Sequence, residues 1–238
     1  MGHESRGGEP SQEARVDLHC HTRASFDGVA EPEALVARAA ERGLTHMAIT
    51  DHETIEGALR ALRALATAAP GIHVLIGSEV NTPQGDLIFV FLERALPRGL
   101  SARDAIEAGR EQGALVGIPH PFDPTRRSLL LDPANEALVD LVDWIEASNG
   151  RVGLAAVNDR AAVLATRRRL PGIGASDAHT LLEIGTVWTT MTGDPSTPAG
   201  LLAALRGPLT IQGAEPATPT GRFARLARPG IRREGAAR

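Results

Sequence analysis

His19 and His21 stand two residues apart, and Asp177 and His179 repeat that spacing near the other end of the chain. On an extended strand, residues i and i+2 face the same side, so each pair can present two donors to one ion. Asp51–His52, Glu79, His120 and Glu146 add further imidazoles and carboxylates. A carboxylate such as Glu79 can bridge two cations, which an imidazole cannot. Pro119 and Pro121 flank His120 and would hold its imidazole rigidly. Cys20 is the only cysteine, which excludes an intrachain disulfide and a thiolate cage. The remaining His and carboxylate donors suit Mn²⁺, Zn²⁺ or Fe²⁺. Two such ions about 3.5–4 Å apart lower the pKa of a shared water and neutralise phosphoryl oxygens during an in-line displacement, which is the chemistry of phosphoester hydrolysis. Phosphate recognition would then fall to arginine. Arg23 lies just past the first His pair, Arg126 and Arg127 just past His120, and Arg151 just past Glu146. No GxxxxGK loop is present, so P-loop use of nucleoside triphosphates is excluded.

These residues are separated by alternating short apolar runs and helical patterns, the signature of βα units around a largely parallel sheet. Strands are expected at 15–18, 45–50, 72–76, 114–118, 143–147, 172–175 and 183–191, and helices at 32–43, 53–69, 101–112, 133–142, 157–169 and 198–206. Pro83, Gln84 and Gly85 predict a hairpin between 80–82 and 86–92. Each polar cluster falls at the carboxyl end of a strand, and in a parallel βα barrel those ends surround one pocket. His46 and His73 start their strands, at the opposite end, and are expected not to be ligands; neither is His3, in the first tail. Alternation turns Cys20 away from the metals into packing, and Trp144 and Trp188 are expected in the core. Glu146 is expected to orient a ligand imidazole rather than to bind metal itself.

Four strings, Asp17-Leu18-His19-Cys20-His21-Thr22, Thr50-Asp51-His52, Pro119-His120-Pro121 and Ser176-Asp177-Ala178-His179, resemble those of the polymerase and histidinol phosphatase (PHP) family. The resemblance runs in order over residues 16–190 and is closest to the small stand-alone phosphoesterase branch, which acts on nucleotides. It implies a distorted seven-stranded (β/α)7 barrel holding two or three divalent metal ions. Carried over by position, His19, His21, Glu79 and Asp177 would hold one metal. Glu79 and His120 would share a second, and Asp27, His52 and His179 would hold a third. His21, Asp177 and His179 are the expected catalytic residues. Where relatives commonly place a further His after the Glu, this chain has Gly85-Asp86-Leu87-Ile88, and Asp86 is the candidate substitute for the second metal.

The 238 residues suffice for one domain with a sizeable core, expected over 15–211. Residues 1–14 and 212–238 are expected to be disordered tails. The second tail carries six Arg against Glu215 and Glu234, within an overall charge of −4, so the body is acidic and the tail basic. An acidic body argues for bound cations and against duplex nucleic acid as a partner. The expected substrate is a small phosphomonoester or nucleotide-type molecule, extending to a short oligonucleotide. With no signal-like start and no apolar run long enough to cross a bilayer, a cytoplasmic location without membrane contact is expected. The alternatives are a noncatalytic or weakly catalytic metal-binding domain, or an amide or ring hydrolase on the same centre.

Overall fold

The structure, a computed structural model, describes residues 13–68 and 71–213. Nine strands and five α-helices follow one another along these residues. In chain order they are β1 (Glu13–Asp17), α1 (Pro32–Glu41), β2 (His46–Ile49), α2 (Glu56–Ala68), β3 (His73–Asn81), β4 (Asp86–Val90), α3 (Ala102–Glu111), β5 (Leu115–Ile118), β6 (Trp144–Asn149), α4 (Ala155–Arg168), β7 (Gly172–Ala175), β8 (Trp188–Thr192), α5 (Pro198–Leu205) and β9 (Leu209–Gln212).

Helices α1 and α3 show how local sequence delivers the chain to the sheet. Pro32 opens α1 in the first turn, where its missing N–H costs nothing, and Leu35, Val36 and Ala39 form its buried face. Gly43, at φ +80°, closes it: Gly43 N–H donates to Ala40 O and Leu44 N–H to Ala39 O. Ser101 caps α3 by accepting from Asp104 N, and Gly113 repeats the glycine closure. Each helix thereby turns into the strand that follows.

The strands form one sheet in the order β7-β6-β5-β4-β3-β2-β1-β8-β9. Pairs β1–β2, β2–β3, β5–β6 and β6–β7 are parallel; β3–β4, β4–β5, β1–β8 and β8–β9 are antiparallel. The α/β barrel expected from the sequence is present, but with nine strands rather than seven. The additional count comes from the β3–β4 hairpin and from β9, which pairs with β8 and was not foreseen. The barrel nearly closes between β7 and β8. There the Thr189 hydroxyl accepts from Gly174 N at 2.8 Å and donates to Gly174 O at 3.0 Å, in place of a backbone ladder. Apolar side chains such as Val16, Leu18, Ile88 and Trp144 are buried against the sheet, each worth roughly 1.5–3 kcal/mol by removal from water.

Three expected elements differ. Residues 133–142 form a 3₁₀ segment, Pro133–Leu141, whose Asn135 amide bonds Leu129 O and Gln84 O. The last long strand starts at Trp188 rather than at 183, because the Glu183 carboxylate instead accepts from His179 N and the Thr180 hydroxyl and holds a turn. Trp144 is buried as expected, whereas Trp188 is only half-buried. Of the expected tails, Glu13, Ala14 and Gln212 belong to strands; residues 1–12, including His3, and 214–238 lie outside the described residues.

Candidate metal centre

The carboxyl ends of β1, β2, β3, β5, β6 and β7 meet in one place. Backbone bonds tie the loops together there: His21 N donates to Ala178 O at 2.7 Å, and Ser176 N donates to Asp17 Oδ1 at 3.1 Å. Two of the candidate ligands take a left-handed backbone, His120 at φ +28° and Asp177 at φ +54°. Non-glycine residues rarely adopt it, and such strain persists where surrounding contacts over-determine it.

Three groups of donor atoms converge among the described residues: His19, Glu79 and His120; His19, His21 and Asp177; and His21, Asp27, His52 and His179. Glu79 links them. Its Oε2 lies 3.3 Å from His19 Nε2, 3.2 Å from His21 Nε2 and 3.4 Å from His52 Nδ1, while its Oε1 lies 3.2 Å from His120 Nε2. Asp177 Oδ1 is 3.5 Å from both His19 Nε2 and His21 Nε2. Asp27 Oδ2 is 3.1 Å from His179 Nε2 and 3.5 Å from His52 Nε2.

The imidazoles are aimed from behind. Glu146 Oε1 accepts from His19 Nδ1 at 2.7 Å, Ser25 Oγ pairs with His21 Nδ1 at 3.2 Å, Ser128 Oγ with His120 Nδ1 at 3.2 Å, and Asp177 O accepts from His179 Nδ1 at 2.8 Å. With Nδ1 engaged, each Nε2 points inward, which is how proteins orient metal-binding histidines. The result would be unfavourable without a cation. His19 Nε2 and His21 Nε2 face each other at 2.9 Å, and Asp27 Oδ1, Asp177 Oδ1 and His179 Nε2 are buried without a hydrogen-bond partner. Donors about 3.2–3.5 Å apart are what ligands 2.0–2.1 Å from a shared ion require. The residues present therefore fit divalent metal ions.

Electrostatics point the same way. Burial, together with the His179 imidazole, pushes His21 down to about 3, so its ring is neutral and free to donate a lone pair. Burial would also lower His52, but Glu79 and Asp27 outweigh it and raise this ring to about 9. The anionic field that pulls a proton onto His52 is the field that a divalent cation would feel.

The arginines divide. Arg126 is largely buried and its Nη2 lies 3.1 Å from Asp177 Oδ2. Arg151 Nε lies 3.5 Å from Glu183 Oε1, under the turn that carries His179. Arg23, expected at the pocket, is exposed and pairs with Glu31 instead. Arg127 also faces away: it donates to Thr82 O at 3.0 Å and lines a separate groove of about 380 Å³ with Glu53, Asn81, Pro83, Arg98 and Gly99. Asp86 is in none of the converging groups. Its Oδ1 is taken by Asn81 Nδ2 at 2.7 Å, and it pairs across the hairpin with Asn81, while Ile88 is the residue opposite Glu79. Burial and the nearby Glu79 raise the Asp86 carboxyl to about 6. Glu146 orients His19, and Cys20 is buried with its thiol 3.9 Å from Ser176 Oγ. His46 and His73 stack on each other at the other end of β2 and β3, 4.7 Å apart.

Several contributing residues carried no signal in the sequence. Ser25, Ser128 and Glu183 are ordinary loop residues until the fold sets them behind an imidazole or a ligand turn. Asn149 donates to both Glu146 Oε2 and Asp177 Oδ2. The hydroxyl, amide and carboxylate types of Ser25, Ser128, Asn149 and Glu183 are common in any loop, so only proximity distinguishes them. Asp51, which the sequence marks beside His52, binds Thr22 N and Thr22 Oγ1, each at 2.7 Å, and so fixes the loop after the first His pair.

Comparison with known proteins places this geometry in context. Residues 17–155 match the PHP domain family, and residues 156–207 match the PHP-associated family. The uncharacterized protein MJ1587 of Methanocaldococcus jannaschii is 35% identical over 57% of this chain and 81% of its own length. The 3',5'-nucleoside bisphosphate phosphatase of Chromobacterium violaceum is 38% identical over 48% of this chain, and the match spans 43% of that phosphatase. A two-domain Bacteroides vulgatus protein containing a predicted PHP-like metal-dependent phosphoesterase superposes with a TM-score of 0.69 at 22% identity, covering 86% of this chain and 67% of that one. Endonuclease Q in complex with a 27-mer duplex bearing an abasic lesion superposes at 0.63 with 18% identity, over 84% of this chain and 58% of that one. That complex corrects the exclusion of duplex nucleic acid drawn from overall charge. A net charge sums over the whole surface, whereas a bound partner meets only part of it, so an overall charge of −4 does not exclude a duplex. No described helix is long and apolar enough to cross a membrane. With the domain match covering more than half of the sequence, and a relative aligned over most of its length, the chain belongs to the PHP domain family.

Proposed function

We propose that this protein is a metal-dependent phosphoesterase acting on a small phosphomonoester or nucleotide-type substrate. The observation that carries this reading is Glu79, whose two oxygens lie within 3.4 Å of four imidazoles and so join all three donor groups into one multinuclear centre. His19, His21, Glu79 and Asp177 would hold one ion, Glu79 and His120 with His19 a second, and Asp27, His52 and His179 a third. When bound, such ions activate water and offset the charge of phosphoryl oxygens.

The chain's own residues supply the rest. Arg126, anchored on Asp177, turns a guanidinium toward the centre, where it can donate to two non-bridging oxygens of a phosphate. Arg151 and Glu183 steady the turn carrying Asp177 and His179. His21 and His179 face inward through Nε2 among the other donors, so their role is to hold ions, and the proton for the leaving alkoxide comes from water.

The test, on the purified protein with Mn²⁺ or Zn²⁺, is phosphate release from phosphomonoesters and nucleoside bisphosphates, with nucleotide release from short oligonucleotides followed alongside. Ammonia release from amides serves as the counter-assay. Phosphate release that is lost with a chelator and in His21→Ala is the expected result; ammonia release without phosphate release would overturn it.

A further inference from the structure

At the rim of the centre, Phe26 stacks on His52 with ring centroids 4.9 Å apart and planes 26° from parallel, yet Phe26 remains 65% exposed. One face of the phenyl ring is fixed against His52 and the rest of the ring is open to water. The loop that carries it is held on both sides. Ser25 N donates to Thr22 O at 3.0 Å, Ser25 Oγ accepts from His52 N at 2.8 Å, and Val29 N donates to His179 O at 3.0 Å. Gly28 passes so close to Thr22 that a Cβ would lie 1.9 Å from its carbonyl oxygen. Phe26 is therefore presented by a braced loop.

It also has apolar company. Seven large apolar side chains are exposed among the described residues, and four of them, Phe26, Val29, Leu181 and Leu182, belong to the two segments joined by the Val29–His179 bond. The same two segments supply Asp27 and His179 to the third donor group. Apolar surface concentrated beside a polar, anionic centre marks a place where a ligand covers it.

We propose that Phe26 is a stacking platform for a nucleobase, so that the substrates of this centre are phosphoesters bearing a base. This rests on the phosphoesterase reading and narrows it. A nucleobase offers a flat face to Phe26 and carries a phosphate a few bonds away for the metal centre and Arg126. Stacking on an aromatic side chain is tolerant of base identity, because every base has a π-face.

Equilibrium binding tests this with adenosine 5′-phosphorothioate and ribose 5-phosphorothioate, which share the charged group and differ in the base, on the full chain with Mn²⁺. The wild type should bind the adenosine compound about tenfold or more tightly than the ribose compound. Phe26→Ala should bring the two affinities together with ribose binding unchanged, and Phe26→Trp should restore the gap. Equal wild-type affinities, a gap that survives in Phe26→Ala, or equal weakening of both ligands in that variant would each overturn the platform. If the binding contrast holds while no phosphoester releases phosphate, the platform stands and the phosphoesterase reading fails.

Discussion

Glu146 Oε1 accepts the Nδ1–H of His19 at 2.7 Å, from a strand 127 residues further along the chain. The same carboxylate accepts His120 N and Asn149 Nδ2 on Oε2, each at 2.9 Å, so one buried side chain aligns two of the imidazoles around Glu79. Glu146→Gln keeps the shape but removes the charge and turns an NH₂ toward a buried donor. Metal affinity should fall about 10–100-fold. Stability should fall by about 1–3 kcal/mol from the unsatisfied donor. Metal titration and thermal unfolding check the two effects, and unchanged affinity would show that His19 does not depend on this contact.

Arg126 and Arg127 are neighbours in sequence with opposite surroundings, one buried on Asp177 and the other 58% exposed beside Thr82. Arg126→Ala should raise KM for a charged phosphoester far more than for a neutral ester, whereas Arg127→Ala should leave that ratio unchanged. Equal effects of the two substitutions on the ratio would refute the division.

Metal removal should destabilise the protein. Asp27, Glu79 and Asp177 crowd together with inward-facing imidazoles, and an ion that binds only the folded state stabilises it by mass action. Melting temperature should rise with added Mn²⁺ or Zn²⁺ and fall with chelator, and His21→Ala should blunt both responses. A melting temperature indifferent to metal would count against the centre.

His46, at the far end of the barrel, provides a pH probe away from the site. Burial, aided by the stacked His73, lowers its pKa from 6.5 to about 4 despite the nearby Asp194. The unfolded chain then binds the proton more readily than the folded one, so the contribution of His46 to stability is full above about pH 6.5 and is lost as pH falls toward 4. Replacing it by Gln should flatten the decline of melting temperature across that window. An unaltered slope would place the acid sensitivity elsewhere.

The amino-acid sequence by itself determined the donor pairs and the ends of the strands that carry them. In His19-x-His21, just past β1 where Cys20 bridges Ala178, the reason is local: residues two apart in extended backbone share a side. The β3–β4 hairpin was legible for the same kind of reason, since Pro83 and Gly85 stop one apolar run and release the next. Helix α1 was legible through Pro32 and Gly43, and α3 through the capping residue Ser101. Tertiary structure decided what depends on register and approach. Asp86 lies on the same face of the hairpin as Glu79 but pairs two residues nearer the turn, opposite Asn81, a matter of cross-strand register that no local pattern encodes. Arg126 turns inward and Arg127 outward because Asp177 arrives from a strand some fifty residues away, and an irregular loop has no period from which to read that choice. The addition of β9, and the service of Ser25, Ser128 and Glu183 behind the ligands, follow from the same cause: long-range packing brings together groups whose own neighbours in the chain say nothing of one another.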